Sequence, residues 1–200
     1  GRPTVFDHLP EDLPRVVSVG RLDINSEGLL LLTNDGELAR RLELPANAWT
    51  RRYRVRVHGL VDRERLAKLA GGITIAGVAY GPIQAALDRQ QGENAWLTMS
   101  LREGKNREVR RICEHLGWAV GRLIRLAFGP FQLGDLARGA VEPVPAKVLR
   151  EQLGDDPSRP RAPGSIQPTP KSSSSATERK SRRKQRSLAT SVSTTPRVHR

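Results

Sequence analysis

Residues 51–58 read RRYRVRVH and alternate without a break. Successive side chains on a strand point to opposite faces. Tyr53, Val55 and Val57 therefore share one face, and Arg52, Arg54, Arg56 and His58 share the other. A period of two over this length marks a strand with one face on a core and one in water. Residues 95–101, AWLTMSL, alternate in the same way.

Other segments fill in around these two strands. Residues 16–22 and 29–33 read as strands on either side of a polar turn. Residues 121–128 read as another strand, and 73–87 as two strands about a turn. Helical patterns lie between them. NDGELARRLEL is a short helix capped by Asn34 or Asp35. VDRERLAKLAGG is a helix capped by Asp62, with Gly71 past its end. NREVRRICEHLG places Val109, Ile112, Cys113 and Leu116 on one face and stops at Gly117. PVPAKVLREQL is a final helix with a proline near its start. Strands interspersed with short helices predict an α+β fold, with a mixed, mainly antiparallel sheet flanked by those helices.

Composition divides the chain. Only 37% of the 200 residues are hydrophobic. From residue 155 onward Ser, Thr, Pro, Lys and Arg dominate and no aromatic residue occurs. Such a segment cannot bury enough apolar surface to offset its chain entropy, so 155–200 is expected to be a disordered basic tail behind a folded body over 1–154. The net charge is +13, and the tail carries 11 Lys/Arg against 3 Asp/Glu. A basic chain of this kind points to nucleic acid. The lone cysteine excludes an internal disulfide and fits a reducing, cytoplasmic setting. No apolar run approaches the roughly 20 residues of a membrane helix, and no membrane role is expected. Four scattered histidines form no metal-ligand pattern, and neither a phosphate-binding P-loop nor a dinucleotide fingerprint is present.

Three stretches carry candidate chemistry. In VGRLDINSEGLLLLTND, Asp23 stands at a strand-to-turn junction, two residues after Arg21. An acid there is either a turn residue or a catalytic carboxylate. A carboxylate that must act ionised in a pocket needs a cation beside it, and Arg21 is within reach in sequence. In REGKNREVRRICEHLG, basic residues crowd the start of a helix and oppose its dipole, which suggests an anionic ligand such as phosphate; a solvated helix face is the alternative. Tyr53, on the valine face of its strand, is a core residue or the aromatic wall of a base pocket.

Taken in order, GRLDINSEGLLLLTNDGELARRL, RRYRVRVHG, LREGKNREVRRICEHLG and RLIRLAFGPFQLGDL resemble the successive motifs of bacterial RsuA/RluB-type ribosomal RNA pseudouridine synthases. The resemblance covers roughly residues 1–150 and is closest to the large-subunit, RluB-like enzymes. It implies that Asp23 is the catalytic residue, that Tyr53 stacks on the target base, and that Arg110 pairs with Asp23. It also implies RNA contacts from Arg21, Lys105, Asn106, Arg107 and Arg111. The implied reaction needs neither cofactor nor metal. The implied partner is ribosomal RNA, 23S ahead of 16S, and the enzyme is expected to be monomeric. Members of that family carry an N-terminal S4-type RNA-binding domain and an early strand with a Lys-Pro motif. Neither occurs in this sequence, so it is expected to start inside a longer protein, and a non-catalytic RNA-binding fragment is the competing reading.

Overall fold

Leu29, Leu30, Leu31 and Leu32 are all buried, three of them at 0% exposure. A strand apolar at every position needs cover on both faces, and the fold supplies it. The computed structural model describes residues 3–44, 47–153 and 188–193. Among these, the strands are β1 (Val17–Val19), β2 (Glu27–Thr33), β3 (Arg51–His58), β4 (Ile73–Ile75), β5 (Val78–Tyr80), β6 (Ile83–Gln91), β7 (Asn94–Leu101), β8 (Ala119–Phe128), β9 (Phe131–Gln132), β10 (Val141–Pro143) and β11 (Leu188–Ser193). The helices are α1 (Gly36–Glu43), α2 (Arg63–Lys68), α3 (Glu108–His115) and α4 (Ala146–Leu153).

One sheet runs in the order β10-β11-β2-β8-β3-β7-β6, with β1 added to β2 and β9 to β8. Among the described residues only the β2–β8 pairing is parallel, so the sheet is mixed and mainly antiparallel, as predicted. Strands β4 and β5 form a separate hairpin. β3 lies between β8 and β7, with Val55 and Val57 buried and its arginine face outward.

Two apolar clusters pack against this frame. The larger joins β3, β7 and β8 to Leu66 of α2 and to Val109, Ile112 and Cys113 of α3. The smaller joins Val19, Leu29 and Leu31 to Ala39 and Leu42 of α1 and to Phe128 and Phe131. Between them β2 meets β8 over two register pairs, Glu27 with Ile124 and Gly28 with Arg125. Gly28 is required there, because a Cβ would lie 2.4 Å from the Arg125 carbonyl oxygen and the backbone φ is +107°. The described residues contain no helix long and apolar enough to cross a membrane.

Several elements differ from the sequence expectation. Asp35, not Asn34, caps α1, accepting from the Glu37 and Leu38 amides at 3.0 and 3.2 Å. Asp62 caps α2 as expected, but the α-helix ends at Lys68 and tightens into a 3₁₀ turn over Leu69–Gly71. β1 stops at Val19 because Gly20 takes a φ of +66° and turns the chain away. One correction falls in the tail. Leu188–Ser193, inside the segment expected to be disordered, pairs antiparallel with β2 and β10. Those six residues, LATSVS, carry no charge and include two β-branched positions, so local strand preference there overrides the polar average of the tail. The rest of 155–200 up to residue 187, and beyond 193, lies outside the described residues.

Candidate active site

The chain between β1 and β2 is a loop pinned at several points. Glu43 of α1 accepts from the Gly20 amide at 2.6 Å. The Ser26 amide donates to the Asp23 carbonyl at 2.8 Å, closing a turn with Asp23 at its first position. Arg125 of β8 donates from Nε to the Leu29 carbonyl at 2.8 Å and from Nη1 to the Arg21 carbonyl at 3.3 Å. Arg110 of α3 donates from Nη2 to the Asn25 carbonyl at 2.5 Å and from Nη1 to the Val120 carbonyl at 3.5 Å. Two arginines, one from a strand and one from a helix, thus hold the turn from below.

A cavity of about 590 Å³ opens over this turn. It brings together Asp23, Tyr53, Arg21, Lys105, Asn106 and Arg107, six of the eight residues singled out in the sequence. Arg110 is buried behind it and spends its hydrogen bonds on main-chain carbonyls; no ion pair joins it to Asp23 among the described residues. Burial lowers the Arg110 pKa, Arg107 lowers it further, and the Asp23 charge raises it, so the two groups attract across the turn. Arg111 is exposed on α3 and does not line the cavity. Lys105 is tied down: its Nζ donates to the Ala79 carbonyl at 2.8 Å and pairs with Glu103. Arg107 pairs with Glu114 at 3.8 Å.

Tyr53 stands on the cavity wall, and burial raises its phenol pKa against the opposing effect of Arg125 and Arg51. Its register partner on β8 is Arg125, so the two side chains lie side by side on one face. Arg125 was not among the predicted site residues. Its signal is visible in RLIRL: position 125 has the same parity as the buried Leu123 and Ala127, and a charge on the core side of a strand needs a reason. Glu108 gives the same signal. It sits one turn before Ile112 on the apolar face of α3, is 4% exposed and lines the cavity. Arg51 also lines the cavity, held by the Trp49 and Arg102 carbonyls and stacked 4.7 Å over the Phe128 ring.

Among the described residues, four buried side-chain polar atoms have no hydrogen-bond partner: Ser26 Oγ, Glu108 Oε1, Arg110 Nε and Arg125 Nη2. Three belong to residues lining this cavity, and the fourth belongs to Arg110 directly beneath the turn. Folded proteins rarely leave such atoms unpaired, so these four are left to water or to a polar ligand entering the cavity. No group of three or more His, Cys, Asp or Glu able to hold a metal occurs among the described residues.

The RNA pseudouridylate synthase profile matches residues 7–115, which include Asp23, Tyr53, Glu108 and Arg110. The chain belongs to this family. An RNA pseudouridine synthase of Rickettsia felis, itself uncharacterized, is 47% identical over 150 residues, covering 75% of this chain and 65% of its own length. The ribosomal large subunit pseudouridine synthase B of Pseudomonas aeruginosa is 42% identical over 164 residues, covering 78% of this chain and 42% of its own. That of Yersinia pestis is 45% identical over 134 residues, 66% and 42% respectively. A crystal structure of a pseudouridylate synthase superposes with a TM-score of 0.66 at 28% identity, over 75% of this chain and 65% of that one. The chain thus spans 65% of the length of the Rickettsia felis relative and 42% of the length of the two large-subunit synthases. The pseudouridylate synthase match stops at residue 115, so Arg125 and all of β8 lie beyond it.

Proposed function

We propose that the chain carries the catalytic domain of an RNA pseudouridine synthase that isomerises a uridine of ribosomal RNA. The observation that carries this reading is one carboxylate, Asp23, held by a hydrogen-bonded turn in a cavity shared with Tyr53 and floored by Arg125 and Arg110. Pure binding of RNA has no use for a pinned acid among buried cations; a reaction at a glycosidic carbon does.

The target base leaves its stack, at a cost of a few kcal/mol, and enters the cavity against Tyr53. Asp23 attacks or assists at C1′ while the bond from C1′ to N1 breaks. The freed uracil turns, C5 bonds to C1′ as any bond between C1′ and the Asp23 carboxylate breaks, the proton on C5 is given up and N1 gains one. Atoms and electrons balance within the nucleotide, so the chemistry itself asks for no cofactor. Arg110 serves as the charge partner of Asp23 through the turn. Arg21, Asn106 and Arg107 at the mouth, with Arg111 beyond it, meet the RNA strand, where phosphate contacts offset the unstacking. Relatives named for the large ribosomal subunit favour 23S over 16S RNA as the substrate.

Asp23→Asn is expected to abolish pseudouridine formation while RNA affinity stays within a few-fold. Carbodiimide mapping by primer extension reads the product, and retained turnover in the variant would sink the mechanism. Mapping ribosomal RNA from a strain lacking the gene identifies the uridine; an unchanged 23S map would overturn the large-subunit assignment.

A further inference from the structure

Arg125 is the residue among the four with orphaned atoms whose remaining contacts fix its direction. It is 3% exposed. Nε is committed to Leu29 and Nη1 to Arg21, the two limbs of the Asp23 turn. The guanidinium carbon lies 5.4 Å from the Phe128 ring centre, on the apolar side. Nη2 makes no hydrogen bond, in a residue that lines the cavity, and the guanidinium faces the Tyr53 hydroxyl, which favours its charged form against burial. In the sheet Arg125 stands between Gly28 and Tyr53, its register partners on β2 and β3. A planar ring lying on Tyr53 therefore has an edge beside Arg125.

We propose that Arg125 is a catalytic residue, donating from Nη2 to a carbonyl oxygen of the pyrimidine held on Tyr53. This rests on the proposed function. The ligand group follows from chemistry. Nη2 is a donor, and the deepest part of an extruded nucleotide is its base. The exocyclic acceptors of uracil are O2 and O4, since N3 carries a proton and N1 is bonded to the ribose. When the bond from N1 to C1′ breaks, the electron pair stays on the base and spreads onto O2 and O4. A fixed cationic donor at one of these oxygens binds the departing base more tightly than the intact uridine, which is what lowers a barrier. The two remaining hydrogen bonds of the guanidinium tie this donor to the loop that presents Asp23, so acid and donor are placed together.

The test is a cycle between protein and substrate. Oligonucleotides carrying uridine, 2-thiouridine or 4-thiouridine at the target are offered to the wild type, Arg125→Met and Arg125→Lys. Single-turnover rates and affinities are measured, with melting curves to verify folding. Sulfur is a poorer acceptor than oxygen. Arg125→Met is expected to slow the single-turnover step by about a hundredfold, with a smaller change in affinity, and Arg125→Lys to recover part of it. One of the two thio substitutions should slow the wild type about tenfold and leave Arg125→Met no slower than it is with uridine. Equal thio penalties in wild type and variant would overturn the contact, as would a wild-type rate in Arg125→Met. If Arg125→Met does not fold, the wild type carries the test: a rate slowed by neither 2-thiouridine nor 4-thiouridine would overturn the contact. A wild type that forms no pseudouridine would refute the proposed function instead, and the affinity cycle on the same oligonucleotides still reports whether Arg125 meets the base.

Discussion

Burial holds the Glu108 carboxyl above the usual glutamate range, and Glu103 pushes it the same way, while the Lys105 amide, the Lys105 ammonium and Arg51 oppose them. The folded chain therefore binds this proton more tightly than the unfolded one. The contribution of Glu108 to stability is fully present below the ordinary value of 4.5 and is lost as pH rises through the folded value. Glu108→Gln keeps an acceptor for the Lys105 amide and removes the titration. It is expected to raise the melting temperature at about pH 7, with the gain shrinking as pH falls toward the glutamate value; a constant gain would show that the charge is not involved. Cys113 is a different case. Burial pushes its thiol up to about 12, so it is expected to resist alkylation in the native state and to react only on unfolding. Mass spectrometry after iodoacetamide treatment checks this. At this scale the sequence was partly legible. Asp23 and Tyr53 stand on motifs, and both reach the cavity. Arg125 and Glu108 were hidden because each looks like one more charge in a basic stretch. Only their position on a buried face separates them from Arg122 or Arg111, which are exposed.

The elements follow their periodicities. β3 and β7 have the alternation that residues 51–58 and 95–101 predict, and α3 buries Val109, Ile112 and Cys113 together with Glu108 and Arg110, with Leu116 buried at its C-cap. β9 and β10 were not foreseen, since two or three residues carry no period to read. β6 continues past the expected end at residue 87 to Gln91; its outer half is polar and carries no apolar alternation to read, and it is held by pairing with β7 across the tight turn at Gly92, with Gln91 opposite Asn94. The junction of β2 with β8 is where an element-scale change has the largest effect. In Gly28→Ala the new methyl would meet the Arg125 backbone at 2.4 to 3.0 Å, at a φ that L residues avoid. A loss on the order of 3 kcal/mol is expected, read as a lower denaturant midpoint, with activity falling alongside it.

Over the whole molecule, charge is unevenly spread. Residues 179–186, RKSRRKQR, hold six of the tail's basic residues, next to the strand β11. Replacing those six by Gln leaves the LATSVS strand sequence intact. It is expected to weaken RNA binding and to flatten its dependence on salt by about 0.7 to 0.9 in log–log slope for each phosphate no longer neutralised. An unchanged slope would make that segment a bystander. The catalytic apparatus responds to a different feature, the two-pair contact of β2 with β8. The acid stands on the side of one apolar cluster and the aromatic wall on the side of the other, and this contact sets the gap between them. Tolerance to substitution should follow that division. Either cluster can be repacked behind its own strands with the acid-to-ring spacing left as it is. A single methylene placed at the junction changes the reach of Asp23 toward anything lying on Tyr53. Drift in sequence should therefore be freest deep inside each half and narrowest at the few atoms where the halves touch.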